Sequence, residues 1–150
     1  LLIFLGGGVI VFKWIKVANK NVRALGAKDL CFTPGWAVGW FFIPVANLFK
    51  PFKVMNEIWS ASHSPQKWQS DEKNRAVQKW WGLWLGSNGL IQISNNLEKN
   101  ADSMDKIIQL SYLSIGGEIL WITLCLSFIS LVRQISTVQV ERFSQISEQE

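Results

Sequence analysis

Ile107 to Val132 limits what this chain can become more than any other stretch, because its 26 residues carry a single formal charge, Glu118. A helix needs roughly 20 apolar residues to cross about 30 Å of hydrocarbon. Ser103 is placed to cap such a helix, Asp105 falls in its first turn where the helix dipole favours an anion, and Arg133 marks its far end. Three further apolar blocks, Leu1 to Phe12, Gly35 to Phe49 and Trp80 to Ile93, are separated by the charged segments. A chain that is 49% hydrophobic and 17% charged, with its apolar residues gathered in this way, reads as an all-α integral membrane bundle in a single domain.

Three spans are expected, over residues 1–17, 77–94 and 106–132. The first opens at Leu1 without an initiator methionine and lacks the basic leader of a signal peptide, so the reading is a span clipped at its outer end. Lys13 and Lys16 close it with stems long enough to snorkel back to the headgroups. In the second, Trp80, Trp81 and Trp84 sit at one end, where amphipathic rings prefer the interface. Gly82, Gly86 and Gly89 share one helical face and, with Gly116 and Gly117 in the third span, form the small-residue surfaces that let helices approach in lipid. The preceding "SDEK" reads as a helix start with Ser70 as cap.

Whether Gly35 to Phe52 also crosses is decided by counting Lys and Arg, which concentrate in cytoplasmic loops. If it does not cross, Lys13 to Lys79 holds 11 of them, and Arg133 and Arg142 bring that side to 13 against Lys99 and Lys106 on the other. If it crosses, the split is 7 to 8 and the bias vanishes. The stretch is therefore expected to enter and leave on the cytoplasmic side, with residues 18–79 and the C-terminus there.

The local chemistry agrees. Thr33 can cap a helix with Pro34 in its first position, and Pro44 restricts Ile43 and breaks that helix after about 13 Å, too short to cross. Leu48, Phe52, Met55 and Trp59 then recur at helical spacing, with Lys50, Lys53, Glu57 and Ser60 on another face and Lys53 and Glu57 as an i,i+4 pair. Pro34 to Ala61 is thus predicted to be a bent re-entrant or interfacial helix pair. Asn47 lies where broken carbonyls need donors, and a role in satisfying the bend outweighs ligand binding for it and for Asn21.

Chemistry has few places to sit. Glu118 is an acid in a span, which is costly unless protonated, paired or facing water. Ser114 and Ser111 share its face and Asn88 is a partner from the preceding span, so the set could form a proton or cation path; the plainer reading is that Glu118 only fixes packing. Thr123, Ser127, Ser130 and Gln134 make a second polar stripe whose hydroxyls can bond back to their own helix. His63, the only histidine, reads as solvated in a polar loop, and Cys31 and Cys125 form neither a disulfide framework nor a metal site. Catalytic, cofactor-binding and metal-binding motifs are absent from the sequence, and the +4 net charge is scattered beside apolar blocks rather than massed for nucleic acid.

The stretches "FKWIKVANKNVRALGA", "FTPGWAVGWFFIPVANLFKPFKVMNEIWSAS", "WWGLW" and "LVRQISTVQVERF" resemble the bacterial membrane-protein family called domain of unknown function 4328. Pro34, Trp36, Trp40, Pro44, Asn47, Pro51 and Trp59 carry the longest of them. The resemblance implies a multi-span helical protein of the bacterial cytoplasmic membrane, often with a further apolar segment upstream, and supplies no catalytic residues. The expected role is non-enzymatic association with membrane lipids, with itself or with other membrane proteins. A small transport or ion-conducting subunit using Glu118 is the alternative.

Overall fold

A computed structural model describes residues 2–69, 74–98 and 103–148, with side chains from residue 6 onward. Every regular element among them is helical: α1 (Leu2–Ala24), α2 (Trp36–Gly39), α3 (Lys50–His63), α4 (Arg75–Glu98) and α5 (Met104–Ser147), with 3-10 turns at Trp40–Phe42 and Ala46–Leu48. They fall into two compact units. One takes in the chain up to Val77 together with the part from Val132 onward, and the other is Gln78–Leu131.

In the first unit, α1 buries Ile15, Ala18 and Val22, with Leu25 buried just past its end, and α3 buries Val54, Met55, Ile58 and Ala61. Ile15, Ala18, Val22 and Leu25, and likewise Val54, Ile58 and Ala61, recur every three or four residues, which places each set on one stripe. Ile135 on α5 is fully buried as well. Gly26 ends α1. At φ +90° it lets the Ala27 amide reach back to the Val22 carbonyl at 3.0 Å, while its own amide meets the Arg23 carbonyl at 3.0 Å. Val22 and Ala27 then share an apolar cluster with Ala61, completing a Schellman stop that an L side chain at position 26 would strain.

The expected bend is present. Ile43 is extended, at φ −97° and ψ 113°, as a residue before proline must be, and the helical turns on either side of it are short. Thr33 Oγ1 accepts from the Trp36 amide at 3.4 Å, but α2 proper begins only at Trp36 and lasts four residues. Phe12 of α1 packs on Phe41 and Phe42 at 5.4 and 5.1 Å, which fixes the wedge against α1.

Several expectations are corrected. The helix after the bend starts at Lys50, and its buried face centres on Val54 and Ile58, while Leu48 is left 54% exposed. Pro51 enters the core at the start of that helix. Glu57, assigned to the polar face, is buried. His63 closes α3 and stacks on Trp59 at 3.8 Å instead of lying in a solvated loop. Ser70 lies outside the described residues; α4 as described begins at Arg75, capped by Asn74, whose Oδ1 accepts from the amides of Ala76 and Val77 at 3.0 and 3.2 Å.

Only α5, among the described residues, is both long enough and apolar enough to cross a membrane. The other two expected spans form helices as well, and of these α4 falls short in apolarity. α1 runs on into Lys13, Lys16, Asn19, Lys20 and Arg23, and α4 is interrupted by Ser87, Asn88 and Gln92 before the polar run Ser94 to Asn96. α5 does not stop near Val132 but continues to Ser147, because no glycine or proline intervenes after Arg133. Its 44 residues measure about 66 Å at 1.5 Å each.

In the second unit, Trp80 packs on Phe128 at 5.5 Å and Trp81 stacks on Trp84 at 4.5 Å, while Leu124 is buried. A Cβ built on Gly86 would meet Leu120 at 3.8 Å. At Gly82, Gly89, Gly116 and Gly117 a Cβ would meet open space.

Candidate functional site

The most constrained polar chemistry lies in the first unit, where the segment joining α1 to α2 is tied down on both edges of its backbone. Glu57, one turn after Val54 and next to Ile58 on α3, is 4% exposed. Its Oε2 accepts the Cys31 amide at 2.6 Å and its Oε1 accepts the Phe32 amide at 3.2 Å. From the opposite side, Asn19 Nδ2 and Arg23 Nη2 donate to the Phe32 carbonyl at 3.2 and 2.8 Å, and Arg23 Nε reaches Asn19 Oδ1 at 3.4 Å. Asp29, three residues before Phe32, holds a positive φ of 56°, which a short polar side chain tolerates better than most.

Burial pushes the Glu57 carboxyl above its ordinary range, while the amides of Cys31 and Phe32, followed by the Arg23 charge, pull against it. Desolvation and then the Glu57 charge push the Cys31 thiol up from 9.0, although its side chain is exposed. A thiol held up in this way is a weak nucleophile at neutral pH. The described residues offer no cluster of three or more His, Cys, Asp and Glu for a metal ion.

Beside Glu57 lies a groove of about 360 Å³ whose lining includes Phe32, Phe52, Trp68, Lys50 and Lys53. Lys50 Nζ stands 5.7 Å from the centre of the Phe32 ring and 4.8 Å from that of Trp40, within cation–π range. Trp68 is held by its indole N–H, which donates to the Lys28 carbonyl at 2.8 Å.

A second polar node binds the tail of α5 to α1 and α3. Gln139, 3% exposed, donates through Nε2 to the Ala18 carbonyl at 3.2 Å and to Ser62 Oγ at 2.9 Å, and its Oε1 accepts from Asn21 Nδ2 at 2.9 Å. Ser62 passes its own proton to the Ile58 carbonyl at 2.7 Å, and Arg142 donates to the His63 carbonyl. Trp14 Nε1 donates to Ser136 Oγ at 3.1 Å.

The residues expected to carry chemistry are arranged differently. Glu118, Ser114, Ser111 and Asn88 are exposed. Ser111 Oγ donates to the Ile107 carbonyl at 3.0 Å and Asn88 Nδ2 to the Trp84 carbonyl at 2.8 Å, so both bond within their own helices. Thr123 back-bonds to Ile119 at 2.8 Å, as its stripe predicts. Of the wedge residues, Trp36 and Trp40 pack at 4.9 Å, and it is the backbone amide of Asn47, at 2.7 Å, that takes up the Ile43 carbonyl. Asn21 serves the Gln139 node. Glu57 and Gln139 were missed as functional positions, and their one sequence signal is that both fall within the family-like stretches.

The family model described as "Domain of unknown function (DUF4328)" matches residues 1–137, and the chain belongs to that family. No curated protein and no solved structure matches it.

Proposed function

We propose that this member of the DUF4328 family is an integral membrane protein that works by association, with lipid and with other membrane proteins, rather than by catalysis. One observation carries this reading: one face of the apolar stretch of α5 is uncovered along its length, with Ile108, Ile115, Ile119, Ile122 and Leu126 between 49% and 62% exposed. An apolar helical surface of that length needs a hydrocarbon environment or a partner to cover it. The positive-inside bias favours a cytoplasmic side for residues 18–79 and the C-terminus, with α1 and α4 as the companion spans.

The test combines carbonate extraction with site-directed labelling. The protein should stay in the membrane pellet at high pH, and single cysteines at Ser64 and Glu98, in a background with Cys31 and Cys125 replaced by serine, should label from opposite faces. Release into the supernatant, or labelling from one face, would sink the arrangement. Glu118 supports a second reading, since its exposed carboxylate interrupts an otherwise apolar helix and would give a conducting subunit its charge. Unchanged ion flux through vesicles carrying Glu118→Gln would remove that reading.

A further inference from the structure

The groove beside Glu57 joins features rarely combined in one small space. Its lining combines a carboxylate, two lysines one helical turn apart, and the rings of Phe32, Phe52 and Trp68. The Glu57 carboxylate already takes the amide protons of Cys31 and Phe32 and a hydrogen bond from the Cys31 side chain, and a carboxylate has room for about four donors in all. Arg23, whose charge acts on Glu57, is committed to the Phe32 carbonyl and to Asn19. The carboxylate can therefore accept a further proton donor, and the two lysines can hold an anion.

We propose that this groove binds the zwitterionic headgroup of an aminophospholipid, its primary ammonium donating to Glu57 and its phosphate resting against Lys53 and Lys50. A volume of about 360 Å³ exceeds what a lone phosphate would fill and leaves room for a two-charge headgroup. A primary ammonium suits a hydrogen-bonding wall better than a trimethylammonium, which has no proton to give. A lipid is favoured over a free zwitterion because the segment leading directly into Lys50 is apolar and uncovered. Phe42, Val45, Leu48 and Phe49 are 68%, 71%, 54% and 44% exposed, a surface for acyl chains adjoining the lysines. The source of the ligand rests on the membrane reading above; the chemistry of the groove does not.

The experiment is a calorimetric titration of the full chain in detergent with water-soluble dihexanoyl phospholipids, which requires no insertion and so can fail or succeed independently of membrane fractionation. The ethanolamine lipid should bind about tenfold more tightly than the glycerol and choline lipids of the same chain length, as one added hydrogen bond to a charged group would give. Glu57→Gln should erase the preference for ethanolamine. Lys53→Gln, a change at an exposed side chain that leaves the core intact, should weaken all three lipids several-fold and keep their order. Equal affinities in the wild type, a preference that survives Glu57→Gln, or indifference to Lys53→Gln would each overturn the assignment. Glycerophosphoethanolamine binding as tightly as the lipid would overturn the lipid source.

Discussion

Replacing Glu57 by alanine removes the acceptor for two backbone amides at once. The Phe32 amide belongs to a residue only 8% exposed, so water cannot readily take the place of the carboxylate there, whereas Cys31 is open to solvent. A hydrogen bond to a charged acceptor contributes about 1.5 to 3 kcal/mol, and an orphaned buried donor costs about 1 to 3 kcal/mol. Relief of the carboxylate's own desolvation offsets part of this, leaving a net loss of about 2 to 3 kcal/mol. Read as local opening, that is roughly 30- to 150-fold faster amide hydrogen exchange at Cys31 and Phe32, measurable by mass spectrometry of the detergent-solubilised protein. The same pair of states carries a pH signature. Because the folded carboxyl titrates above its ordinary 4.5, the folded state binds the proton more tightly. Its contribution is then fully present below about pH 4.5 and is lost as pH rises through the folded value. Glu57→Gln, which cannot titrate, should lack that downward slope. Exchange at Cys31 and Phe32 unchanged in the alanine variant, or identical pH profiles for wild type and glutamine variant, would refute the reasoning.

Gln139→Ala should lower stability by about 2 to 4 kcal/mol, since it strips the Ala18 carbonyl, Ser62 and Asn21 of a shared partner in a buried site; thermal melting of the solubilised protein measures it. Gly26→Ala should cost about 1 to 2 kcal/mol by the same assay, because φ +90° is a left-handed conformation that a Cβ opposes. Gly86→Ala should by contrast be neutral or gain up to about 1 kcal/mol, the new methyl meeting Leu120 at an ordinary 3.8 Å while the helix loses a flexible residue. A clear loss at Gly86 in the melting curve would mean that another surface packs there.

What could be read from the sequence was governed by local rules. The α5 core is legible because length and apolarity set it, and the break at Pro44 is legible because proline constrains its own predecessor. Glu57 escaped because its spacing from Lys53 is that of a surface ion pair, and its burial depends on two amides 25 and 26 residues away, which periodicity cannot register. Gln139 is the same case at greater range, with partners 118 and 121 positions distant on α1. The length of α5 was underestimated because Arg133 was read as a stop. A charge can mark a membrane boundary without ending a helix, and the buried face continues past it through Ile135 to Gln139.

The Gln139 node also sets an order of events during synthesis. Asn21 and Ala18 are made early, yet the one side chain that satisfies both emerges 118 to 121 residues later. At the usual ribosomal pace of about 5 to 20 residues per second, that is an interval of roughly 6 to 24 s. Throughout it the inner face of α1 must stay hydrated or shielded by another molecule, and α3 must wait with Ser62 unsatisfied by its eventual partner. Closing the first unit thus waits until α5 has been made past position 139, and a ribosome that stalls before then would leave a chain whose apolar helix is finished and whose first unit is not.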